Sequence, residues 1–237
     1  MSKPNLTFVH GFMGDPSDWD QVRSELPEYH ITTPLIRPAE DWQSGVRQLV
    51  SDIPARSVII GYSMGARLAL AIALEYPEVC AGLVFASGNP GLDNDFAREQ
   101  RYAHDCRIAA RIESEPRRSF LHYWYSAPVF RSLSEEVRQA EIERKSARDG
   151  DDWGAILRSF SVAKQPSYWH RLSELSMPTL AIAGMQDRKY THIIERMRET
   201  PNIETSVVDN CGHIVHHERP LVFVRLLKSF LAEACVS

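Results

Sequence analysis

The chain has 237 residues, 43% of them hydrophobic and 24% charged, with a formal net charge of -4. That length supplies one substantial core, arranged either as two domains or as one larger α/β domain. The acidic balance excludes a broad nucleic-acid-binding surface, which needs a basic excess. Four scattered cysteines, Cys80, Cys106, Cys211 and Cys235, show no CxxC or His/Cys metal spacing and read as free thiols in a reducing compartment. Met1 to Phe8 has no long apolar stretch after its lysine, so no signal peptide is expected. No apolar run approaches the ~18 residues of a membrane span. The expectation is a cytoplasmic protein with no membrane insertion and no nucleic-acid partner.

In chain order, the first apolar run is Leu6–His10, a predicted strand. Gly45–Ser51 belongs to a helix, and Ser57–Tyr62 reads as a second strand. Met64–Glu75 follows as a helix, with Leu68, Ala71 and Ile72 at helical spacing. Ala81–Ala86, Thr179–Ala183 and Ile203–Val208 are further strands, and Pro220–Ala234 is the last helix. These strands lack polar alternation, as strands buried on both faces do. The alternation of strands and helices predicts an α/β fold with a mostly parallel, doubly wound sheet. Residues 92–170 break the pattern, being charged, aromatic and too long for a loop. They are expected to form a helical cap insertion over the strand ends, where open α/β sheets bind ligands. The predicted division is a core domain of residues 1–91 and 171–237 with a cap of 92–170.

The chemistry centres on Gly61-Tyr62-Ser63-Met64-Gly65, between a strand and a helix. A nucleophile on so sharp a turn needs small neighbours, and the following helix favours negative charge at its start. Ser63 needs a base, and nine histidines compete. His213, after the last strand and before the last helix, holds the chain position of the base. His216 and His217 are expected at the start of that helix. Asp187, in the loop after Thr179–Ala183, is the carboxylate that would fix the imidazole. Asp209 is its rival, four residues before His213. The order Ser63, Asp187, His213 is that of a Ser-Asp-His hydrolase triad. His10-Gly11-Phe12-Met13-Gly14 offers an oxyanion loop, with the backbone N–H groups of Phe12 and Met64 as donors and His10 as a brace. No P-loop, zinc signature or dinucleotide fingerprint is present, so neither cofactor nor metal is implied.

His10-Gly11-Phe12, Gly61-Tyr62-Ser63-Met64-Gly65, Gly184-Met185-Gln186-Asp187 and Gly212-His213 together resemble the α/β-hydrolase superfamily across nearly the whole chain. Three further stretches narrow the resemblance: Gly88-Asn89-Pro90-Gly91-Leu92, the run from Trp124 to Leu133, and Ser161-Val162-Ala163-Lys164-Gln165-Pro166. They are similar to the 2-succinyl-6-hydroxy-2,4-cyclohexadiene-1-carboxylate synthases of menaquinone biosynthesis, as is the elbow's extension to Arg67. The resemblance implies an α/β-hydrolase fold and a lyase that eliminates pyruvate from 2-succinyl-5-enolpyruvyl-6-hydroxy-3-cyclohexene-1-carboxylate. Ser63 would then act as a base on carbon, and the Phe12 and Met64 amides would stabilise negative charge on a carboxylate oxygen.

A small-molecule polycarboxylate substrate needs cations. Arg67, one helical turn beyond Ser63, can approach the same side of the helix. Alternatively it lies on a solvated face. The resemblance assigns substrate binding to Arg101 as well. A third family arginine falls on Lys145, with Arg144 beside it; lysine keeps the charge but loses the bidentate fork. Tyr62 and Trp124 would line the pocket, their alternative being ordinary core aromatics. Residues 92–170 carry 13 Lys+Arg against 13 Asp+Glu, so the carboxylate clamp rests on a few residues and not on a field. The competing functions are a serine hydrolase of a small ester, thioester or carbon–carbon bond, and a ligand-binding receptor on the same scaffold.

Overall fold

The computed structural model describes residues 5–148, 150 and 152–234; the Met1–Pro4 start and Cys235 lie outside the described residues. The elements run β1 (Asn5–Val9), α1 (Asp20–Ser24), β2 (Ile31–Thr32), α2 (Trp42–Ser51), β3 (Ser57–Tyr62), α3 (Met64–Glu75) and β4 (Cys80–Ala86). Four helices follow: α4 (Asp95–Ser114), α5 (Arg117–Tyr125), α6 (Glu135–Ser146) and α7 (Trp153–Ser159). The chain then returns through β5 (Thr179–Gly184), α8 (Arg188–Met197), β6 (Ile203–Val208), α9 (Val215–Glu218) and α10 (Pro220–Ala234). The six strands form one sheet in the order β2-β1-β3-β4-β5-β6, and every pairing is parallel.

Strand alternation builds two cores. Val9, Ile59, Phe85 and Ala181 face one side, where α2, α3 and α8 cover them. Phe8, Ile60, Val84 and Ile182 face the other, under α1, α9 and α10. Phe223, Leu227 and Leu231 lie four residues apart on α10 and are essentially inaccessible. Truncating such a leucine to alanine costs about 2–5 kcal/mol. α4 to α7 share a third apolar cluster, with Ile108, Phe120, Phe130 and Trp153 among its members. Met13, from the loop after β1, is buried in that same cluster.

The predicted strand at Leu6–His10 is Asn5–Val9, because His10 turns out of the sheet to serve the next loop. α2 begins at Trp42, where the Asp41 side chain accepts the Ser44 amide as a helix cap. α1, β2 and α8 stand outside the sequence expectations. β2 is only two residues long, too short for a periodic signal. Among the described residues no helix is long and apolar enough to cross a membrane.

Candidate active site

Parallel pairing puts the ends of β1, β3, β4, β5 and β6 at one edge of the sheet, and the loops leaving them build the site. Ser63 turns between β3 and α3 with φ 53° and ψ -109°. A side chain with a Cβ rarely occupies this region, so the turn is strained. The strain is held in place: the Ser63 N–H donates to the Ala86 carbonyl at 2.8 Å. A Cβ on Gly65 would strike the carbonyls of Val9 and His10, and one on Gly61 would strike Gly65 and Ala66. Both glycines are therefore required by close backbone approach.

His213 Nε2 lies 3.1 Å from Ser63 Oγ, and its Nδ1 lies 2.6 Å from Asp187 Oδ2. A carboxylate accepts only, so the proton sits on Nδ1 and the Nε2 lone pair faces the serine hydroxyl. His213 and Asp187 are both buried. The imidazole lies against the rings of Tyr190 and Tyr62, at centroid distances of 4.6 and 5.3 Å. The backbone around it is tethered as well. The Ser87 hydroxyl donates to the His213 carbonyl at 2.9 Å. Glu218 accepts the N–H groups of Gly212 and Ile214 at 2.8 and 3.0 Å. Sequence reasoning did not single out Ser87 or Glu218; the five-residue spacing from His213 to Glu218 was the available signal.

The rivals lie elsewhere. Asp209 is exposed in a turn. His216 is buried in α9, stacked on Trp19 at 4.1 Å and tilted against Tyr62 at 4.7 Å, whereas His217 is exposed. Burial pushes the His216 imidazole down to about 3, so it is neutral at ordinary pH.

Among the described residues neither the Phe12 nor the Met64 N–H has a protein acceptor. The His10 ring accepts the Ile36 N–H at Nε2 (3.1 Å) and so donates from Nδ1 to the Gly11 carbonyl at 2.8 Å. Burial keeps its affinity for a second proton low. His10 thus braces the loop.

These groups open on a cavity of about 920 Å³, which Phe12, Tyr62, Trp124, Arg67, Arg101 and Lys145 also line. Tyr62 is 8% exposed, and burial raises its phenol well above the ordinary value. Trp124 packs edge-on to Phe12, with 5.3 Å between centroids. Arg67 is not on a solvated face: it is 8% exposed. Its guanidinium donates to Gln165 Oε1 at 3.1 Å and the Phe160 carbonyl at 2.7 Å. Burial, and after it the Arg101 charge, push the Arg67 guanidinium down to about 10. Gln165, in the Ser161–Pro166 stretch, spans from Arg67 to the Asn89 carbonyl. Arg101 is half-exposed and holds both oxygens of buried Asp105 through Nε, at 2.8 and 2.9 Å.

Lys145 and Arg144 part company. Arg144 is committed to Asp15, Asp18 and Glu141, at 3.0, 2.6 and 2.9 Å. Lys145 is 4% exposed, donates to the Met13 carbonyl at 2.9 Å and shares Glu141 with Arg144, at 3.4 Å. Burial lowers its ammonium's proton affinity, against the opposing pull of Asp18. Among the described residues no group of three or more His, Cys, Asp or Glu side chains is arranged to hold a metal.

A model of the alpha/beta hydrolase family matches residues 8–226. The chain is 32% identical to the 2-succinyl-6-hydroxy-2,4-cyclohexadiene-1-carboxylate synthase of Salmonella agona, over 96% of this chain and 94% of that protein. The enzyme of the same name from Salmonella typhimurium matches at 32% over the same shares. MenH from S. aureus superposes with a TM-score of 0.89 at 23% identity, covering 99% of this chain and 95% of that one. A carboxylesterase structure from Nitrososphaera gargenis follows at a TM-score of 0.79 and 19% identity, covering 98% and 91%. At those identities the two structures speak to the fold alone. The sequence relatives go further: this chain belongs to the alpha/beta hydrolase family and, within it, to the 2-succinyl-6-hydroxy-2,4-cyclohexadiene-1-carboxylate synthases.

Proposed function

We propose that this chain eliminates pyruvate from 2-succinyl-5-enolpyruvyl-6-hydroxy-3-cyclohexene-1-carboxylate, giving 2-succinyl-6-hydroxy-2,4-cyclohexadiene-1-carboxylate in menaquinone biosynthesis. The observation that carries this reading is Arg67. It lines the Ser63 cavity, is buried, and has no carboxylate partner among the described residues. Asp105 acts on it only at a distance, and a buried cation with no carboxylate in contact is costly unless a ligand supplies one. An esterase of apolar acyl chains has no use for it; a polycarboxylate does.

The ring double bonds locate the chemistry. The substrate's bond at C3 becomes bonds at C2 and C4, so the proton leaves C2 and the enolpyruvyl oxygen leaves C5. His213 Nε2 takes the Ser63 hydroxyl proton, and Ser63 Oγ takes the C2 proton. The electron pair moves through the ring and breaks the C5–O bond. The proton on His213 returns to the departing enolate, giving pyruvate. C2 lies next to the succinyl ketone, so the transient charge collects on that ketone oxygen. This differs from the carboxylate oxygen that the family resemblance suggested. The Phe12 and Met64 N–H groups would receive it. Arg67 and Arg101 would hold carboxylates, with the 92–170 segment acting as a cap over the core formed by 1–91 and 171–237. Tyr62 and Trp124 would wall the ring.

The test is pyruvate release from the enolpyruvyl substrate, with p-nitrophenyl acetate hydrolysis as the control. Pyruvate release that Ser63→Ala abolishes supports the reading. Fast ester turnover with no detectable pyruvate makes the protein a serine hydrolase and ends it.

A further inference from the structure

The loop after β1 is a four-residue turn, closed by the Gly14 N–H donating to the Gly11 carbonyl at 3.1 Å. Its third residue, Met13, has φ 61°, a position where turns of this kind favour glycine. Methionine must therefore be held there by its surroundings. Its side chain is anchored in the apolar cluster of α4 to α7. Its carbonyl accepts the Lys145 ammonium at 2.9 Å, with Arg148 at 3.5 Å. The end of α6 holds the following loop residues too: Arg144 in its last turn and Arg148 just beyond it both reach Asp15, at 3.0 and 2.6 Å.

Peptide planarity turns this grip into a relay. The Met13 carbonyl and the Gly14 N–H share one rigid peptide, and so do the Gly11 carbonyl and the Phe12 N–H. Lys145 fixes the first peptide, and the Gly14–Gly11 hydrogen bond joins it to the second. The free end of the second is the N–H of Phe12, a residue that lines the Ser63 cavity.

We propose that Lys145 is a positioning residue that aims the Phe12 oxyanion donor through the Met13 carbonyl, rather than a cation for the substrate. The inference rests on the oxyanion role given to Phe12 above. α6 thereby couples the helical segment to the reacting centre through a main-chain turn.

A probe without carboxylates separates the two roles. An uncharged fluorophosphonate bonds its phosphorus to Ser63 Oγ, expels fluoride and passes the serine proton to His213. Its rate depends on the oxyanion donors and on no substrate cation. In Lys145→Met the phosphonylation rate and kcat for pyruvate release should fall together, by about ten- to a hundredfold, with KM within about threefold of wild type. Lys145→Leu, which likewise carries no donor, is read by the same split if Lys145→Met does not fold. A tenfold rise in KM with an unchanged phosphonylation rate makes Lys145 a substrate cation and overturns the proposal, as does no change in either quantity. The pyruvate-elimination reading fails separately, as wild type that takes the phosphonate at Ser63 but releases no pyruvate; the phosphonylation rate of Lys145→Met then decides the role of Lys145 alone.

Discussion

Glu218 brackets His213: its two carboxylate oxygens accept the main-chain N–H groups immediately before and after the imidazole-bearing residue, at 2.8 and 3.0 Å. The Ser87 hydroxyl on the His213 carbonyl and the Gln186 N–H on the Cys211 carbonyl hold the same loop from other sides. A Cβ on Gly212 would run into the Ser132 hydroxyl, so that position is packed closely from the other side. Glu218→Ala removes both acceptors and frees the loop. Charge-assisted bonds of this kind are worth about 1.5–3 kcal/mol each. The expected result is a lower melting temperature and at least a tenfold fall in kcat for pyruvate release, with KM nearly constant. Glu218→Gln keeps one acceptor oxygen and should fall between. Equal kcat in Glu218→Ala and wild type would show that His213 is positioned without it.

Asp187→Asn tests the tautomer. The carboxylate now accepts from His213 Nδ1 at 2.6 Å. An asparagine can turn its amide N–H to that nitrogen, which puts the ring proton on Nε2 facing Ser63. The base is then blocked without a change of shape. The expected loss in kcat is about 10³-fold or more, the order seen when serine-protease triads are altered in this way. A loss under tenfold would mean that Asp187 does not set the protonation of His213.

The parts legible in the sequence were those with a local signature. The run Ser57–Tyr62, with Gly61 and Gly65 on either side of Ser63, marks a strand, a tight turn and a helix within a dozen residues. Asp187 and His213 could be read from chain order, because parallel strands bring their trailing loops to one edge whatever lies between. Arg67 was legible as a residue but not as a buried one. A helical face shows only spacing, and its burial comes from Gln165 and Phe160, roughly a hundred residues on. Lys145 shows the same limit more sharply. α6 is charged along its length, and nothing local reveals that this lysine meets the Met13 carbonyl 132 residues earlier.

Arg67 and Arg101 should matter for charge and not for acyl chemistry. Arg101 spends Nε on Asp105, and that carboxylate is itself held by the Ser161 hydroxyl at 2.6 Å. Arg101→Met is expected to raise KM for the enolpyruvyl substrate by about ten- to a hundredfold, the worth of one charge-assisted bond. Hydrolysis of p-nitrophenyl acetate, which carries no carboxylate, should change by less than threefold. Arg67→Met should show the same contrast. Asp105→Asn leaves the guanidinium in place but loosens it, so a smaller KM effect is expected. Parallel losses on both substrates would place these arginines in the fold rather than in recognition.

His216 gives a prediction about pH. Burial holds its imidazole near 3, against an ordinary value of 6.5, and its Nδ1 has no partner among the described residues. Between those values the unfolded chain binds a proton that the folded chain refuses. The stability that neutral His216 allows is fully present above about 6.5 and is lost as pH falls toward about 3. One such proton contributes a slope of ~1.4 kcal/mol per pH unit. His10, also pushed down by burial, adds its own share, so the test is a difference. His216→Phe preserves the ring stacked on Trp19 and removes the titrating nitrogens. Its unfolding free energy, measured by denaturant from pH 7.5 to pH 4.5, should fall less steeply than that of wild type. At pH 7.5 the variant should be as stable as wild type or more so, because a buried nitrogen without a partner is gone. Identical slopes for the two proteins would show that His216 takes up its proton without unfolding, through the cavity that it lines.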